Sequence, residues 1–181
     1  MKTKFMFHVL LLLVITSCKN NTETNEKEPK TDKEVKNNKF KVTLNLLIKK
    51  NDTLHLYFTE DKTINFKEES SIWTSVLGND VAQEVTFELP KDVFPTELRL
   101  DLGVNKENEK IQLKGIKLDY MNKSFTINES SIYQYFRVNT DNSLFDAKTN
   151  ELSRKNPEIA AGPCLYPLEI QLKTEIDKLV K

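Results

Sequence analysis

The chain has 181 residues, with 27 basic and 27 acidic side chains, so its formal net charge at neutral pH is zero. This balance, without a basic stripe along the sequence, excludes the electrostatic footprint of a nucleic-acid-binding protein. The chain holds four glycines, and it lacks the glycine patterns of phosphate-binding loops, dinucleotide-binding turns and serine-hydrolase elbows.

The N-terminal segment has the features of an export signal. Lys2 and Lys4 precede an apolar run over residues 5–15, which is shorter than the ~20 apolar residues that a membrane-spanning helix needs. The run leads into Val14-Ile15-Thr16-Ser17-Cys18. This stretch resembles the lipobox of bacterial lipoproteins, in which small residues precede a cysteine that is lipidated and becomes the mature N-terminus.

The lipobox resemblance implies a chain of three parts. Residues 1–17 are a signal peptide that is removed, residues 18–38 are the lipidated Cys18 and a disordered tether, and residues 39–181 are one folded domain. The chain departs from the usual pattern at Thr16, which replaces a smaller residue. The implied location is the cell envelope, lipid-anchored, at the outer membrane in preference to the inner one. The alternative interpretations are a plain secretory signal and an uncleaved anchor.

The segment after the cysteine has the composition of a tether. Residues 19–38 contain one aliphatic side chain, Val35, and no aromatic one, so they cannot bury enough apolar area to offset their ordering entropy. A helix over 26–36 is the competing interpretation, but Pro29 interrupts it and no apolar face is present. Removal of the signal, which carries two lysines and no acidic residue, leaves a net charge of −2.

Beyond the tether, hydrophobic residues alternate with polar ones at period two, which is typical of strands with one buried face. The alternating runs lie at 40–46, 54–58, 85–89, 98–102, 111–120, 125–127, 132–138 and 168–172. A phase slip at Gly115 predicts a β-bulge. Short strands separated by turn residues, without a βαβ rhythm, predict an all-β fold, an antiparallel, jelly-roll-like β-sandwich. Residues 174–181 predict a terminal helical turn or two.

Four short stretches occur in a fixed order between residues 52 and 103. They are Asp52-Thr53-Leu54-His55-Leu56-Tyr57-Phe58-Thr59, Phe66-Lys67-Glu68-Glu69-Ser70-Ser71-Ile72, Val85-Thr86-Phe87-Glu88-Leu89-Pro90 and Leu98-Arg99-Leu100-Asp101-Leu102-Gly103. This series resembles the β-sandwich modules attached to some bacterial cell-surface polysaccharide glycosyltransferases and membrane proteins, which have a proline in place of Leu102-Gly103. The resemblance implies a sandwich fold and, through the context of those modules, contact with glycans. It assigns no binding residue.

The candidate ligand-binding residues are Tyr133, Tyr135 and Arg137. Strand alternation over 132–138 places these three side chains on one face, opposite the apolar ones. Two exposed tyrosines and an arginine combine stacking surface with a forked donor, which suits a sugar chain. The alternative is aromatic pairing within the sheet, or a sheet face covered by residues 143–167.

Other candidate residues have ordinary structural interpretations. With Cys18 consumed by lipid, Cys164 stands alone in an apolar stretch, and we expect a buried structural thiol. We expect Trp73 in the core and His55 on a solvated strand face. Adjacent carboxylates such as Glu68-Glu69 are usually solvated. No catalytic residue, metal site or cofactor is predicted.

The sequence therefore predicts a membrane-anchored lipoprotein that is not an enzyme. Its domain is expected to bind a glycan or another envelope polymer. The alternative is a structural or assembly lipoprotein that binds another envelope protein through a sheet edge or through the face of Tyr133 and Tyr135. Its partners are then the membrane, through the lipid, and one of these two ligands, with no nucleic acid.

Replacement of the predicted lipidation site tests the anchor. Cys18→Ala should abolish incorporation of a fatty-acid analogue and leave the unprocessed precursor, because the thiol itself is the modified group. Metabolic labelling followed by electrophoresis measures both effects, with Cys164→Ala as the control that keeps its label. Labelling that survives in Cys18→Ala would contradict the lipobox interpretation.

Overall fold

The alternation of the sequence determines which side of each strand is buried. The structure is a computed structural model that describes residues 38–181, and these contain two antiparallel sheets facing each other across one hydrophobic core. The predicted all-β sandwich is confirmed. The strands are β1 (Lys41–Leu47), β2 (Asp52–Thr59), β3 (Ser71–Val76), β4 (Gln83–Glu88), β5 (Glu97–Asp101), β6 (Ile111–Tyr120), β7 (Lys123–Asn128), β8 (Phe136–Val138), β9 (Ser143–Asp146), β10 (Glu151–Arg154) and β11 (Cys164–Pro167).

The helices of residues 38–181 are short or terminal. Two single 3-10 turns occupy Glu68–Ser70 and Glu129–Ser131, and a one-turn helix, α1, follows the second over Ile132–Tyr135. The longer helix α2 spans Glu169–Val180. Within the same part of the chain, no helix is long and apolar enough to cross a membrane.

The six-stranded sheet has the order β4-β1-β6-β10-β9, and β7 pairs with the second half of β6. The five-stranded sheet has the order β3-β2-β5-β11-β8. Apolar side chains of both sheets meet in the core, and those of the first two strands show the pattern. Val42, Leu44, Leu46, Leu54 and Leu56 are fully buried.

The phase slip in β6 is a β-bulge, as predicted. Asn45 of β1 pairs with Gly115, and the next residue, Leu46, pairs with Leu113. Lys114 is therefore the extra residue that the alternation requires. The bulge keeps Leu113 and Ile116 on the same buried side, although they are three positions apart.

A buried carboxylate fixes the connection that follows β5. Asp52 Oδ1 accepts the backbone N–H groups of Val104 and Asn105 at 2.6 and 2.8 Å, and Oδ2 accepts Asn108 Nδ2 at 2.8 Å. A carboxylate that accepts several N–H donors satisfies both itself and an otherwise irregular backbone. Gly103 has φ +89°, and a Cβ there would lie 2.4 Å from Asp52 Oδ2, so only glycine fits.

The strand predicted at 168–172 is wrong, because α2 begins there. Leu172, Ile176 and Leu179 are buried on one helical face, whereas Ile170 is 79% exposed. The apparent alternation of Leu168, Ile170 and Leu172 coincides with the start of this helical spacing. The predicted terminal turn or two is thus a helix of about three turns.

The strand predicted over 132–138 is also wrong for its first half. Residues Ile132–Tyr135 are α1, and only Phe136–Val138 is a strand. Ile132 and Phe136 are both buried, and they are four residues apart, which is one helical turn as well as an even strand spacing. The period alone therefore does not distinguish the two conformations in so short a run.

A buried acid under α2 predicts a pH-dependent stability. Glu97 is 1% exposed, and its Oε2 has no hydrogen-bond partner among residues 38–181. Burial, with smaller contributions from the charges of Glu169 and Asp177 and an opposing one from Lys173, raises the pKa of this carboxyl from 4.5 to about 7. The stability contributed by protonated Glu97 is therefore complete below pH 4.5 and is lost as the pH rises through 7.

Glu97→Gln should flatten this loss, because an amide cannot ionise. Its Tm at pH 8 should exceed that of the wild type by about 3 °C or more. Thermal melts between pH 4 and 8 measure the effect, and exposed Glu69→Gln is the matched control. Parallel profiles of the wild type and Glu97→Gln would show that this carboxyl does not titrate with folding.

Candidate functional site

The outer side of the five-stranded sheet carries an unusual set of side chains. Because Leu54 and Leu56 of β2 point into the core, the intervening His55 and the following Tyr57 point outward. The same alternation turns other aromatic and charged side chains outward from β3, β5, β8 and β11. We call this set the aromatic–arginine face, and it consists of His55, Tyr57, Trp73, Arg99, Asp101, Arg137, Cys164 and Tyr166.

The strand register arranges this face in two rows that run across the strands. In the first row, Tyr57 pairs with Arg99, and Tyr166 pairs with Arg137. The pairing of Leu165 with Leu100 places Tyr166 beside Arg99, which completes the row. The second row lies two residues away on the neighbouring antiparallel strands and consists of Trp73, His55, Asp101 and Cys164.

The first row alternates tyrosine rings with guanidinium groups. Arg99 Cζ lies 4.7 Å from the ring centroid of Tyr57 and 4.9 Å from that of Tyr166. Arg137 Cζ lies 4.9 Å from the same Tyr166 centroid. All three distances are within the range of attractive cation–π contacts. The row is therefore a continuous ladder of stacked groups from β2 to β8.

Arg99 is also held from the second row. Its Nη2 and Nε donate to Asp101 Oδ2 and Oδ1 at 2.6 and 2.9 Å, and Nε also donates to Cys164 Sγ at 3.2 Å. Burial disfavours the charged guanidinium, but the hydrogen bonds and charge interactions with Asp101 and Cys164 together outweigh it and raise the pKa of Arg99 above its usual range. The guanidinium is thus a fixed, permanent cation.

Cys164 is buried, as predicted, although a cation does lie beside it. Burial, with the charge of Asp101, raises the pKa of the Cys164 thiol to about 12, against the opposing charge of Arg99. The thiol therefore stays protonated at neutral pH. A protonated, buried thiol is a poor nucleophile, so Cys164 serves as a packing residue.

Trp73 lies outside the core, contrary to the sequence prediction. It is 49% exposed, because β3 is an edge strand whose other face holds Ile72 and Val76. Its indole ring stacks on the His55 ring with centroids 3.6 Å apart and planes 20° apart. Its Nε1 donates to Glu68 Oε1 at 2.9 Å. His55 therefore covers one face of the indole ring and Glu68 holds its edge, while the remaining surface of the ring is exposed to solvent.

His55 is buried, and its predicted solvated position is wrong. The residue is 2% exposed, because Trp73 and Tyr57 cover it, with the Tyr57 ring centroid 3.9 Å away. Burial lowers the pKa of this imidazole, and the charges of Glu68 and Asp101 oppose that effect. His55 Nε2 lies 3.8 Å from Glu68 Oε1 and has no hydrogen-bond partner among residues 38–181. The imidazole is therefore a neutral support beneath Trp73.

Side chains from the connection between β2 and β3 contact the outer side of the aromatic–arginine face. Tyr57 Oη donates to Glu68 Oε2 at 2.9 Å, and burial together with this bond raises the pKa of Tyr57 to about 12. Phe66 meets the rings of Tyr57 and Tyr166 edge-on, with centroids 6.4 and 5.9 Å away. The carboxylate of Glu68 therefore accepts hydrogen bonds from both Tyr57 and Trp73 and holds the two side chains in place.

The structure does not bring Tyr133, Tyr135 and Arg137 together. Tyr133 and Tyr135 lie in α1, so strand alternation does not apply to them. Tyr133 packs against Phe145 with centroids 4.2 Å apart, and its buried hydroxyl, which has no partner among residues 38–181, has a raised pKa. Tyr135 packs edge-on against Phe125. Of the three, only Arg137 belongs to the aromatic–arginine face.

The sequence did carry a signal for part of this face. His55 and Tyr57 are the outward positions of one predicted strand, and Arg99 and Asp101 are those of another. Cross-strand pairing of these two strands would have suggested the cluster. Tyr166 gave no such signal, because its four-residue strand β11 contains a cysteine and a proline.

The groups of this face that could take part in a reaction are held in unreactive states. Among residues 38–181, no group of three or more His, Cys, Asp or Glu side chains is arranged to hold a metal ion. The thiol is protonated and the imidazole is covered, so neither is poised as a nucleophile or general base. Flat rings, hydrogen-bond acceptors and guanidinium donors make up the rest of the face.

Comparison with known proteins gives no precedent for this face. The chain matches no protein-family model, no curated protein and no solved structure. A function therefore has to follow from the geometry and chemistry of its own residues.

Replacement of Glu68 should increase the mobility of the Trp73 indole ring. Glu68→Ala deletes the acceptor of Trp73 Nε1, so the ring should gain rotational freedom while the core stays intact. Trp73 is the only tryptophan of the chain, so the steady-state fluorescence anisotropy and emission maximum report on it alone. We expect lower anisotropy in Glu68→Ala and no change in the neighbouring control Glu69→Ala. Equal anisotropy in both variants would show that Glu68 does not hold the ring.

Proposed function

We propose that this protein is a lipid-anchored protein of the bacterial cell envelope whose domain binds a glycan without catalysing a reaction. The observation that carries the proposal is the setting of Trp73. Its indole is half exposed, yet His55 supports one ring face and Glu68 holds the edge. A large ring that is both exposed and immobilised is a ready platform for the apolar face of a sugar, because it loses little conformational entropy on binding.

The groups around the platform complement it. Sugar hydroxyls both donate and accept hydrogen bonds, and the aromatic–arginine face offers guanidinium donors and the exposed carboxylate of Glu68 beside the indole. A few polar groups next to an aromatic surface are what orients a bound small molecule. The combination therefore favours a polyhydroxylated ligand over a purely apolar one.

The outer side of the six-stranded sheet provides an internal comparison. There, Thr43 and Thr86 share a hydrogen bond at 2.9 Å, Lys41 pairs with Glu88, and Lys117 pairs with Asp119. Paired threonines and exposed ion pairs are an ordinary solvated sheet surface. The aromatic–arginine face differs from it within one molecule, which supports a binding role for that face alone.

The anchor is the second part of the proposal. Cys18 and nearly all of the proposed tether, 18–38, lie outside the described residues, so their support is the lipobox resemblance and the composition of the segment. More than one lipid chain on one residue gives stable membrane attachment, where a single chain is marginal. The domain would then present its binding face to polymers close to the membrane.

A protein-binding role is the second candidate, and exposed apolar side chains favour it. Leu77 and Val81 are 74% and 63% exposed in the connection between β3 and β4. They follow β3, which is an edge strand of the five-stranded sheet. An edge strand beside exposed apolar side chains can accept a partner strand. In this case binding would depend on Leu77 and Val81 and would be insensitive to Trp73.

Truncation of the platform tests the proposed function. In a soluble form that begins at Lys19, Trp73→Ala should weaken glycan binding by roughly 5- to 150-fold, the effect of losing a hot-spot aromatic side chain. Its Tm should fall by less than about 3 °C, because the ring is outside the core. A glycan array identifies a ligand, and calorimetry measures its affinity.

The control for this experiment is Tyr135→Ala, which removes an aromatic ring away from the face and should leave affinity unchanged. The proposal would fail if no envelope polysaccharide or array glycan bound. It would also fail if affinity were the same in the wild type and Trp73→Ala.

A further inference from the structure

Most charged side chains of the aromatic–arginine face have an ion-pair or hydrogen-bond partner within the domain, but one does not. From this we infer that the ligand is an anionic glycan that lies across the strands, with its acidic group on Arg137 and a neutral ring on Trp73. The inference rests on the proposed function and specifies its ligand class. The supporting observations are the ion-pair pattern, the strand order and the exposure of Trp73 and Arg137.

Three of the four formal charges on and around the face already have partners. Arg99 and Asp101 neutralise each other through two hydrogen bonds. The two carboxylate oxygens of Glu68 accept from Tyr57 and Trp73, which lowers the pKa of this acid and keeps it ionised. Arg137 differs, because it is exposed and no described residue forms an ion pair or a hydrogen bond with its guanidinium.

The position of Arg137 prepares it for an anion. Its guanidinium lies over the Tyr166 ring, which limits its orientations before a ligand arrives. The N–H donors point outward in the guanidinium plane, and their fork matches the oxygens of a carboxylate or a sulfate. A long side chain that is held by stacking loses less freedom on binding than a mobile one.

The two ends of the face are separated by the width of the sheet. Trp73 lies on β3 and Arg137 lies on β8, which are the two edge strands in the order β3-β2-β5-β11-β8. Four interstrand spacings of about 4.8 Å give roughly 19 Å. A ligand that contacts both end residues must therefore be an oligosaccharide of several rings, and it must also pass the side chain of Phe66, which contacts Tyr57 and Tyr166.

The negative group at the other end sets the direction of the chain. Glu68 lies beside Trp73, and its carboxylate would repel an acidic substituent there. Arg137, at the opposite edge, attracts one. A neutral ring on the indole and an acidic ring on the guanidinium is therefore the orientation of lowest electrostatic energy. Uronic acid carboxylates and sulfate esters share the chemistry that Arg137 recognises.

Calorimetry with matched tetrasaccharides tests this inference on the soluble form that begins at Lys19. The probes are tetrasaccharides with three neutral rings and one terminal uronic acid, their carboxyl-reduced neutral counterparts, and a neutral tetrasaccharide that carries one terminal sulfate ester. We expect at least one acidic probe to bind about tenfold or more tightly than its neutral counterpart, with the advantage reduced at high salt. The carboxylated and sulfated arms identify which anion is preferred.

Arg137→Gln should remove the preference for the acidic probe while leaving the affinity for the neutral probe and the Tm unchanged. Lys117→Gln is the matched control, because it removes an exposed cation from the other sheet. Trp73→Ala should weaken both probes. If neutral probes bind through Trp73 but no acidic probe binds more tightly, the inference fails and the proposed function stands. If no probe binds the wild type, both fail.

Discussion

The guanidinium of Arg99 is the group on which the aromatic–arginine face depends. It contacts rings from β2 and β11, and it binds a carboxylate of its own strand β5, so one cation joins three neighbouring strands. The tyrosine rings on either side of it are thereby kept at a fixed separation. Without this cation, Asp101 would face the thiol of Cys164 with its charge uncompensated, and Tyr57 and Tyr166 would lose the guanidinium that lies between them.

The outer sides of the two sheets differ in their chemistry. Apolar side chains from both sheets fill a single core, to which the side chains of the aromatic–arginine face do not belong. The six-stranded sheet uses its outer side for paired charges and threonines. The five-stranded sheet carries rings and guanidinium groups instead. A sheet surface that does not contribute to the core can carry ligand-binding side chains, as loops do in other folds.

The sequence predicted the parts of the fold that local periodicity controls, namely the longer strands, the bulge at Gly115 and the burial of Cys164. It failed where a short segment has two compatible periods, as in Ile132–Tyr135, and where a strand is too short to show any, as in β9, β10 and β11. The candidate site was less predictable than the fold. Its members come from five strands, and their proximity depends on the pairing order, which periodicity does not contain.

The position of β1 has a mechanical consequence if the proposed N-terminal tether comes under tension. Chain tension from the tether would enter the domain at Lys41, where β1 begins between β4 and β6. A pull along the axis of this strand loads the ladders on both of its sides in shear, so many backbone hydrogen bonds resist together. Peeling of an edge strand would instead break them one after another. A central first strand thus resists a pull on the N-terminal end of the domain better than an edge strand would.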